Sequence, residues 1–344
     1  MKAYVLNGVN RLDYMDVADP VPKSGQVIVD IKAAGICGSD IPRIFVNGTY
    51  HFPTIPGHEF AGIVVSAGDK KDERLIGKRV GVFPLIPCMQ CQACLNRQYE
   101  MCMNYNYLGS RCDGGFAEYV AVPARNVIEI PDGMSFEEAA MLEPSSVGIH
   151  ALGRIDMSNV KSAVVFGPGT IGLLTAQWLR VLGADDVYIS GTNDNQRRMA
   201  ANLGFDKFYV GSAARAVLEE TGGEGADLTI DCVGYDSVLA DCVKFTKRGG
   251  SILVVGNPHG DVKLQRDIYW QILRKQLKVC GTWNSSFIPE DSDDDWRKTI
   301  RAVESGMIRP AVQITHRLPF DRLSDGLDIM RNKTEYCNKV MIVR

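Results

Sequence analysis

Four cysteines, Cys88, Cys91, Cys94 and Cys102, fall within fifteen residues, and no other feature constrains the chain as strongly. Two-residue gaps let a turning backbone aim successive sulfurs at one point, and a tetrahedral zinc ion takes four thiolates at about 2.3 Å. The run reads as a closed structural zinc site in a locally folded loop. Disulfides, buried free thiols and an iron–sulfur cluster are the competing explanations. The chain has ten cysteines, the others scattered, which suits a reducing compartment better than a disulfide framework. Four thiolates leave no coordination position open and bring no base with them. Any chemistry must be sought elsewhere in the chain.

A length of 344 residues suggests two domains. The net charge of −3 gives no reason to expect a nucleic-acid partner. Residues 1–6 lead straight into alternating, strand-like sequence, and no stretch reaches the roughly 18 apolar residues of a membrane span. A cytoplasmic protein without a membrane partner is expected. The acidic run 290–295 reads as a solvated loop.

Residues 1–35 alternate short β-rich runs with turn signals such as 20–25, the pattern of an antiparallel β domain. At its end Cys37 stands two residues before Ser39, and farther on His58 and Glu59 lie side by side in a Gly-rich turn. Glu143 interrupts an apolar, helix-like run, and burying an unpaired carboxylate is costly unless a cation or donor meets it. One Cys, one His and one or two Glu make an open zinc site with room for a water or substrate oxygen.

These residues carry a resemblance. Cys37-Gly38-Ser39-Asp40, Gly57-His58-Glu59 with Gly62 and Gly68, the four-cysteine run and Glu143-Pro144 resemble the zinc-dependent medium-chain dehydrogenases over the whole chain. Glu143, where alcohol dehydrogenases commonly carry a cysteine, resembles the polyol branch. The run from Ser39 to Phe45, Asn47-Gly48, and the run from Gly109 to Tyr119 are similar to the galactitol-1-phosphate 5-dehydrogenases. The resemblance implies a mainly β, GroES-like catalytic domain over 1–149 and 287–344. It also implies a homodimer or homotetramer.

After Glu143 strands and helices alternate, as in a doubly wound parallel-sheet domain, here expected over 150–286. A buried-strand run at 162–166 is followed directly by Gly167-Pro168-Gly169-Thr170-Ile171-Gly172 and a helical pattern. In that context the glycines form a dinucleotide turn, with the pyrophosphate on the helix N-terminus. A second strand ends at Gly191, where an NAD enzyme presents an acid to the ribose. Thr192, Asn193, Arg197 and Arg198 stand there instead and offer donors to a 2′-phosphate, so NADP is favoured over NAD. Asp194 is the counter-argument. Val233 and Val255, at the ends of later strands, are expected beside the nicotinamide.

The chemistry implied is hydride transfer between an alcohol carbon and the nicotinamide, with two zinc ions per chain. Cys37, His58, Glu59 and Glu143 would hold the catalytic one, the glutamates exchanging with water. Ser39 would take the alcohol proton. A polyol phosphate or ketose phosphate is the first choice of substrate, with Arg43 and Arg111 as cations for the phosphate. An unphosphorylated polyol such as sorbitol or xylitol comes second and another secondary alcohol third, while a non-catalytic nucleotide-binding protein would have no need to keep Cys37, Ser39, His58, Glu59 and Glu143 together.

Overall fold

The computed structural model describes residues 1–211 and 213–344. Along the chain the strands are β1 (Lys2–Gly8), β2 (Arg11–Asp16), β3 (Gln26–Ile36), β4 (Glu59–Ala67), β5 (Arg79–Val82), β6 (Leu85–Ile86), β7 (Asn106–Tyr107), β8 (Tyr119–Pro123) and β9 (Val127–Glu129). There follow β10 (Ser162–Phe166), β11 (Asp186–Gly191), β12 (Phe208–Val210), β13 (Ala226–Asp231), β14 (Thr246–Val254), β15 (Lys278–Gly281), β16 (Ile314–Pro319) and β17 (Lys339–Val343). Two units result: Met1–Glu143 with Ser286–Gly306 and Gln313–Arg344, and Pro144–Ser285 with Met307–Val312.

Strand β3 is the spine of the first unit. Its residues Val27, Val29 and Ile31 are buried, and its length lets it pair antiparallel with β4 on one side and with β8 and then β17 on the other. The sheet runs β16-β17-β3-β4-β5-β9, with β8 beside β3. Phe60, Val64, Phe116, Val122 and Val340 close the core around it. Glu59, at the start of β4, lies opposite Gly35, and Val340 lies opposite Ile36. Three neighbouring strands thus bring residues from remote parts of the chain to one level.

The second unit is a parallel sheet of order β12-β11-β10-β13-β14-β15. Every residue of β13 is buried, as strands covered on both faces require. Strand order reverses between β10 and β13, the crevice where open α/β sheets bind ligands. Strand β13 stops at Asp231 rather than running on to Val233, because the Asp231 carboxylate accepts the N–H groups of Val233 and Gly234 at 2.8 and 2.9 Å and turns the chain. Val233 and Val255 therefore lie just past their strands.

The acidic run is exposed at Glu290, Ser292 and Asp293, as a solvated loop would be, but turns inward at its end. Asp294 is only 5% exposed and caps the helix Asp295–Glu304, accepting from the N–H groups of Arg297 and Ile288 at 2.8 and 3.0 Å. Asp295 accepts from the Ser286 N–H at 2.7 Å. A helix start needs acceptors for its free N–H groups, and burial of the adjacent Trp296 draws the run inward.

Candidate active site

The four cysteines meet as their spacing suggests. Sγ–Sγ separations are 3.6 Å for Cys91–Cys94, 3.9 Å for Cys88–Cys94 and 3.9 Å for Cys91–Cys102. A tetrahedron with bonds of about 2.3 Å has edges of about 3.8 Å, whereas a disulfide needs about 2.05 Å. The sulfurs thus stand at the spacing a zinc ion imposes. Tyr99 is buried against them, and Ile288 and Tyr105 pack around the edge.

A second convergence lies in the same unit. One ligand atom each from Cys37, His58 and Glu59 falls within 4.8 Å of the others. Cys37 ends β3 in a turn locked from both directions: the Asp40 N–H donates to the Cys37 carbonyl at 3.0 Å, and the Cys37 N–H donates to Asp40 Oδ2 at 2.9 Å. His58 follows Gly57, whose φ of +94° favours glycine. The Gly115 N–H donates to the Gly57 carbonyl at 2.8 Å, and a side chain on Gly109 or Gly114 would strike that carbonyl. The run from Gly109 to Phe116 therefore sets the backbone that carries His58.

Behind the imidazole, Asp40 Oδ1 stands 3.5 Å from His58 Nδ1, and Arg43 Nη1 reaches the same oxygen at 2.7 Å. A carboxylate behind a ligand imidazole is the usual support of a metal-bound histidine. His58 Nδ1 is buried without a hydrogen bond. Ser39 Oγ donates to Cys37 Sγ at 3.3 Å. Glu143 sits outside the three-residue convergence, in the first turn of the helix Leu142–Leu152, and accepts from Tyr107 Oη at 3.4 Å. The Tyr107 ring lies 5.8 Å from that of His58.

The cluster is rich in anions. Burial pushes the Glu143 carboxyl up to about 7; His58 opposes this and Glu59 reinforces it. Burial disfavours a charged His58, yet Asp40 and the Cys37 thiolate raise its pKa well above the usual value. Such a site takes up protons where no cation balances it. A cysteine sulfur, an imidazole backed by a carboxylate and a buried glutamate, each within 4.8 Å of the others, fit a divalent cation.

Lys339 is a residue beside the cluster that sequence reading missed. It is 2% exposed, and its Nζ donates to the Ile36 carbonyl at 3.2 Å and pairs with Glu59 Oε2. Nothing local marks a lysine in a terminal strand. Its meaning appears only from the β17–β3 pairing.

The two arginines expected to meet a phosphate have different surroundings. Arg43 is held by Asp40. Arg111 lies between the rings of Tyr50 and Tyr105, at 4.1 and 4.3 Å, donating to Tyr50 Oη at 3.1 Å and the Tyr105 carbonyl at 3.2 Å, while its Nε is buried without a partner.

In the second unit Gly167, at φ +90°, ends β10, and a side chain there would overlap Val233. Gly169 caps the helix Thr170–Val181 with open space where a side chain would stand, and Gly172 abuts the Gly167 carbonyl. Thr170 and Ile171 open this twelve-residue helix, whose N-terminus is a fit for pyrophosphate. At the end of β11, Gly191 is required because any side chain would strike Phe208 and Pro168. Asn193 caps the helix Asp194–Asn202 by accepting the Gln196 N–H at 3.1 Å, and Thr192 donates to the Gln196 side chain. Arg197 faces Asp194 at 3.5 Å, and Arg198 bonds the Asn195 side chain.

Residues 23–132 match the alcohol dehydrogenase GroES-like domain and residues 170–305 the zinc-binding dehydrogenase family. The galactitol 1-phosphate 5-dehydrogenase of Escherichia coli K12 is 33% identical over 322 residues, covering 92% of each chain. A sorbitol dehydrogenase of Bombyx mori is 29% identical, covering 96% of this chain and 95% of its own. The crystal structure of the Escherichia coli galactitol-1-phosphate dehydrogenase superposes with a TM-score of 0.90 at 31% identity, covering all of both chains. A zinc-binding dehydrogenase from Sinorhizobium meliloti, solved bound to NADP, has a TM-score of 0.89 at 28% identity, covering 100% of this chain and 99% of its own.

Proposed function

Since the chain belongs to the zinc-binding dehydrogenases with a GroES-like domain and is an oxidoreductase, we propose that it moves hydride between NADP and a polyol phosphate or its ketose phosphate. The observation that carries the reading is the buried meeting of Cys37, His58 and Glu59, backed by Asp40 and flanked by Glu143. Cys37 and His58 would hold the catalytic zinc, with Glu59 and Glu143 as carboxylates able to exchange with water; Cys88, Cys91, Cys94 and Cys102 would hold the structural one. When bound, the catalytic zinc supplies an electrophile that steadies an alcohol oxygen losing its proton, and the nicotinamide supplies the hydride acceptor.

The chain's residues do the rest. Ser39 Oγ takes the alcohol proton and passes it outward. Asp40 orients His58, and Tyr107 keeps water from the Glu143 side of the site. The glycine turn at Gly167, Gly169 and Gly172, with Thr170 and Ile171, would receive the pyrophosphate, and Val233 and Val255 would flank the nicotinamide. NADP is favoured over NAD because Gly191-Thr192-Asn193 presents no carboxylate, and Arg197 and Arg198 follow on the next helix.

Arg111 supports a phosphorylated substrate more strongly than Arg43 does. Two rings fix its plane and its Nε lacks a partner, whereas Asp40 holds Arg43. An unphosphorylated polyol is the second reading, favoured by the likeness to a sorbitol dehydrogenase. We place the enzyme in the cytoplasm as a homodimer or homotetramer. The cysteines are all free, no helix among the described residues is long and apolar enough to cross a membrane, and edge strand β15 leaves Val279 exposed, as Tyr269, Trp270 and Leu273 are.

The deciding experiment compares kcat/KM for reduction of tagatose 6-phosphate and free tagatose with NADPH and with NADH. A preference of tenfold or more for the phosphate, about 1.4 kcal/mol, is expected, and Arg111→Ala should abolish it. Equal turnover would replace the phosphate reading with the free polyol.

A further inference from the structure

A buried lysine is uncommon unless its charge is matched and its donors are used. Lys339 meets both conditions on groups beside the Cys37–His58 convergence: it pairs with Glu59 Oε2 and donates to the Ile36 carbonyl. Its backbone belongs to β17, next to β3, and β3 lies next to β4, which carries Glu59. Between them is Gly35, directly opposite Glu59. A side chain at Gly35 would come within 2.3 Å of Glu59 Oε2. The space that glycine leaves is filled by the carboxylate, and the lysine closes it from the other strand.

The charges also call for this lysine. Asp40 and Arg43 cancel as a pair. With a metal bound, Cys37, Glu59 and Glu143 would bring three negative charges, of which a divalent cation offsets two. Lys339 neutralises the third. We propose that Lys339 is a positioning residue: it holds one oxygen of Glu59, leaves the other as a single donor turned to Cys37 and His58, and completes the charge balance that lets this buried site retain its metal. The inference rests on the zinc reading of the cluster and adds to it a residue more than 300 positions from Cys37 in sequence.

The test is metal retention, read apart from turnover. Wild type, Lys339→Met and Lys339→Arg are loaded with zinc, and release to a colorimetric chelator is followed. Each is also reloaded with cobalt(II) and its visible spectrum recorded. Wild type should hold two zinc ions per chain. Lys339→Met should release one of them at least tenfold faster, with the other within twofold of wild type, and its cobalt spectrum should shift. Lys339→Arg should recover most of the retention. Combined with Glu59→Gln, Lys339→Met should add less than twofold to the release seen with Glu59→Gln alone, because its action runs through that carboxylate.

Unchanged release and spectrum in Lys339→Met would overturn the inference and leave the zinc reading standing. A wild type with metal only at the four cysteines would overturn the zinc reading, and this inference with it. If Lys339→Met alone does not fold, the double variant decides, since it removes both buried charges. A further tenfold acceleration over Glu59→Gln would then overturn the proposal.

Discussion

Two clusters in the first unit gather side chains that could hold a metal ion, and they are built in opposite ways. The cysteine lobe draws all its ligands from fifteen consecutive residues. The other cluster takes Cys37 from the end of β3, His58 and Glu59 from the entry to β4, Glu143 from a helix and Lys339 from β17, and four of these five are at most 7% exposed. The first is a local loop stitched by its own ligands. The second depends on strand register across the whole unit, and it needs counter-charges that the first does without.

That contrast can be broken most sharply by removing one ligand from each. Cys37→Ser should lower kcat roughly a thousandfold, the several kcal/mol that a Lewis acid contributes to a developing charge, with folding and lobe metal intact. Cys91→Ala should instead lower stability by about 3 kcal/mol or more while the cobalt spectrum of the other cluster stays unchanged. Activity with melting curves reads both, and a Cys91→Ala protein of wild-type stability would show that the lobe is not a structural staple.

A smaller effect follows from Glu143. Its pKa in the folded, metal-stripped protein is raised to about 7 from 4.5. A raised folded value gives stability that is full below the unfolded pKa and is lost as pH rises through the folded one. The stripped protein should therefore lose up to about 3 kcal/mol from this group between pH 4.5 and pH 7. Glu143→Gln should flatten that part of the profile, measured by denaturant titration at several pH values. An identical slope in the variant would assign the dependence to other groups. Smaller again is Asp40→Asn, which should weaken metal binding at the buried cluster by about 10- to 100-fold and leave the lobe untouched, as chelator competition would report.

What the sequence made legible follows the same divide. The lobe and the glycine turn at Gly167 could be read directly because their function is local: spacing alone aims the sulfurs, and a turn between strand and helix needs those glycines. Cys37, His58, Glu59 and Glu143 could be picked out as residue types, and the family resemblance gathered them. Distance along the chain hid Lys339, whereas Arg43 and the acidic run were obscured by short-range pairing and capping. Lys339 gives no signal until β17 is laid beside β3. Arg43 looked available for a phosphate, and only the fold reveals Asp40 at its guanidinium. The acidic run at 290–295 misled at its end because charge density suggests solvation, whereas Asp294 caps a helix that Trp296 anchors in the core.

The pairing of β17 with β3 joins Lys339 to Ile36 across 303 residues, with the entire second unit encoded in between. Contacts of such long range form late, because a large loop must close before they are rewarded. On the two-zinc reading, the metals should consequently load in sequence. The cysteine lobe can capture zinc once its fifteen residues are free to turn, long before the rest of the chain has folded. The buried cluster must wait for the last strand to dock. During refolding the protein would pass through a stage that is metallated but inert, its catalytic machinery switched on by its C-terminal strand.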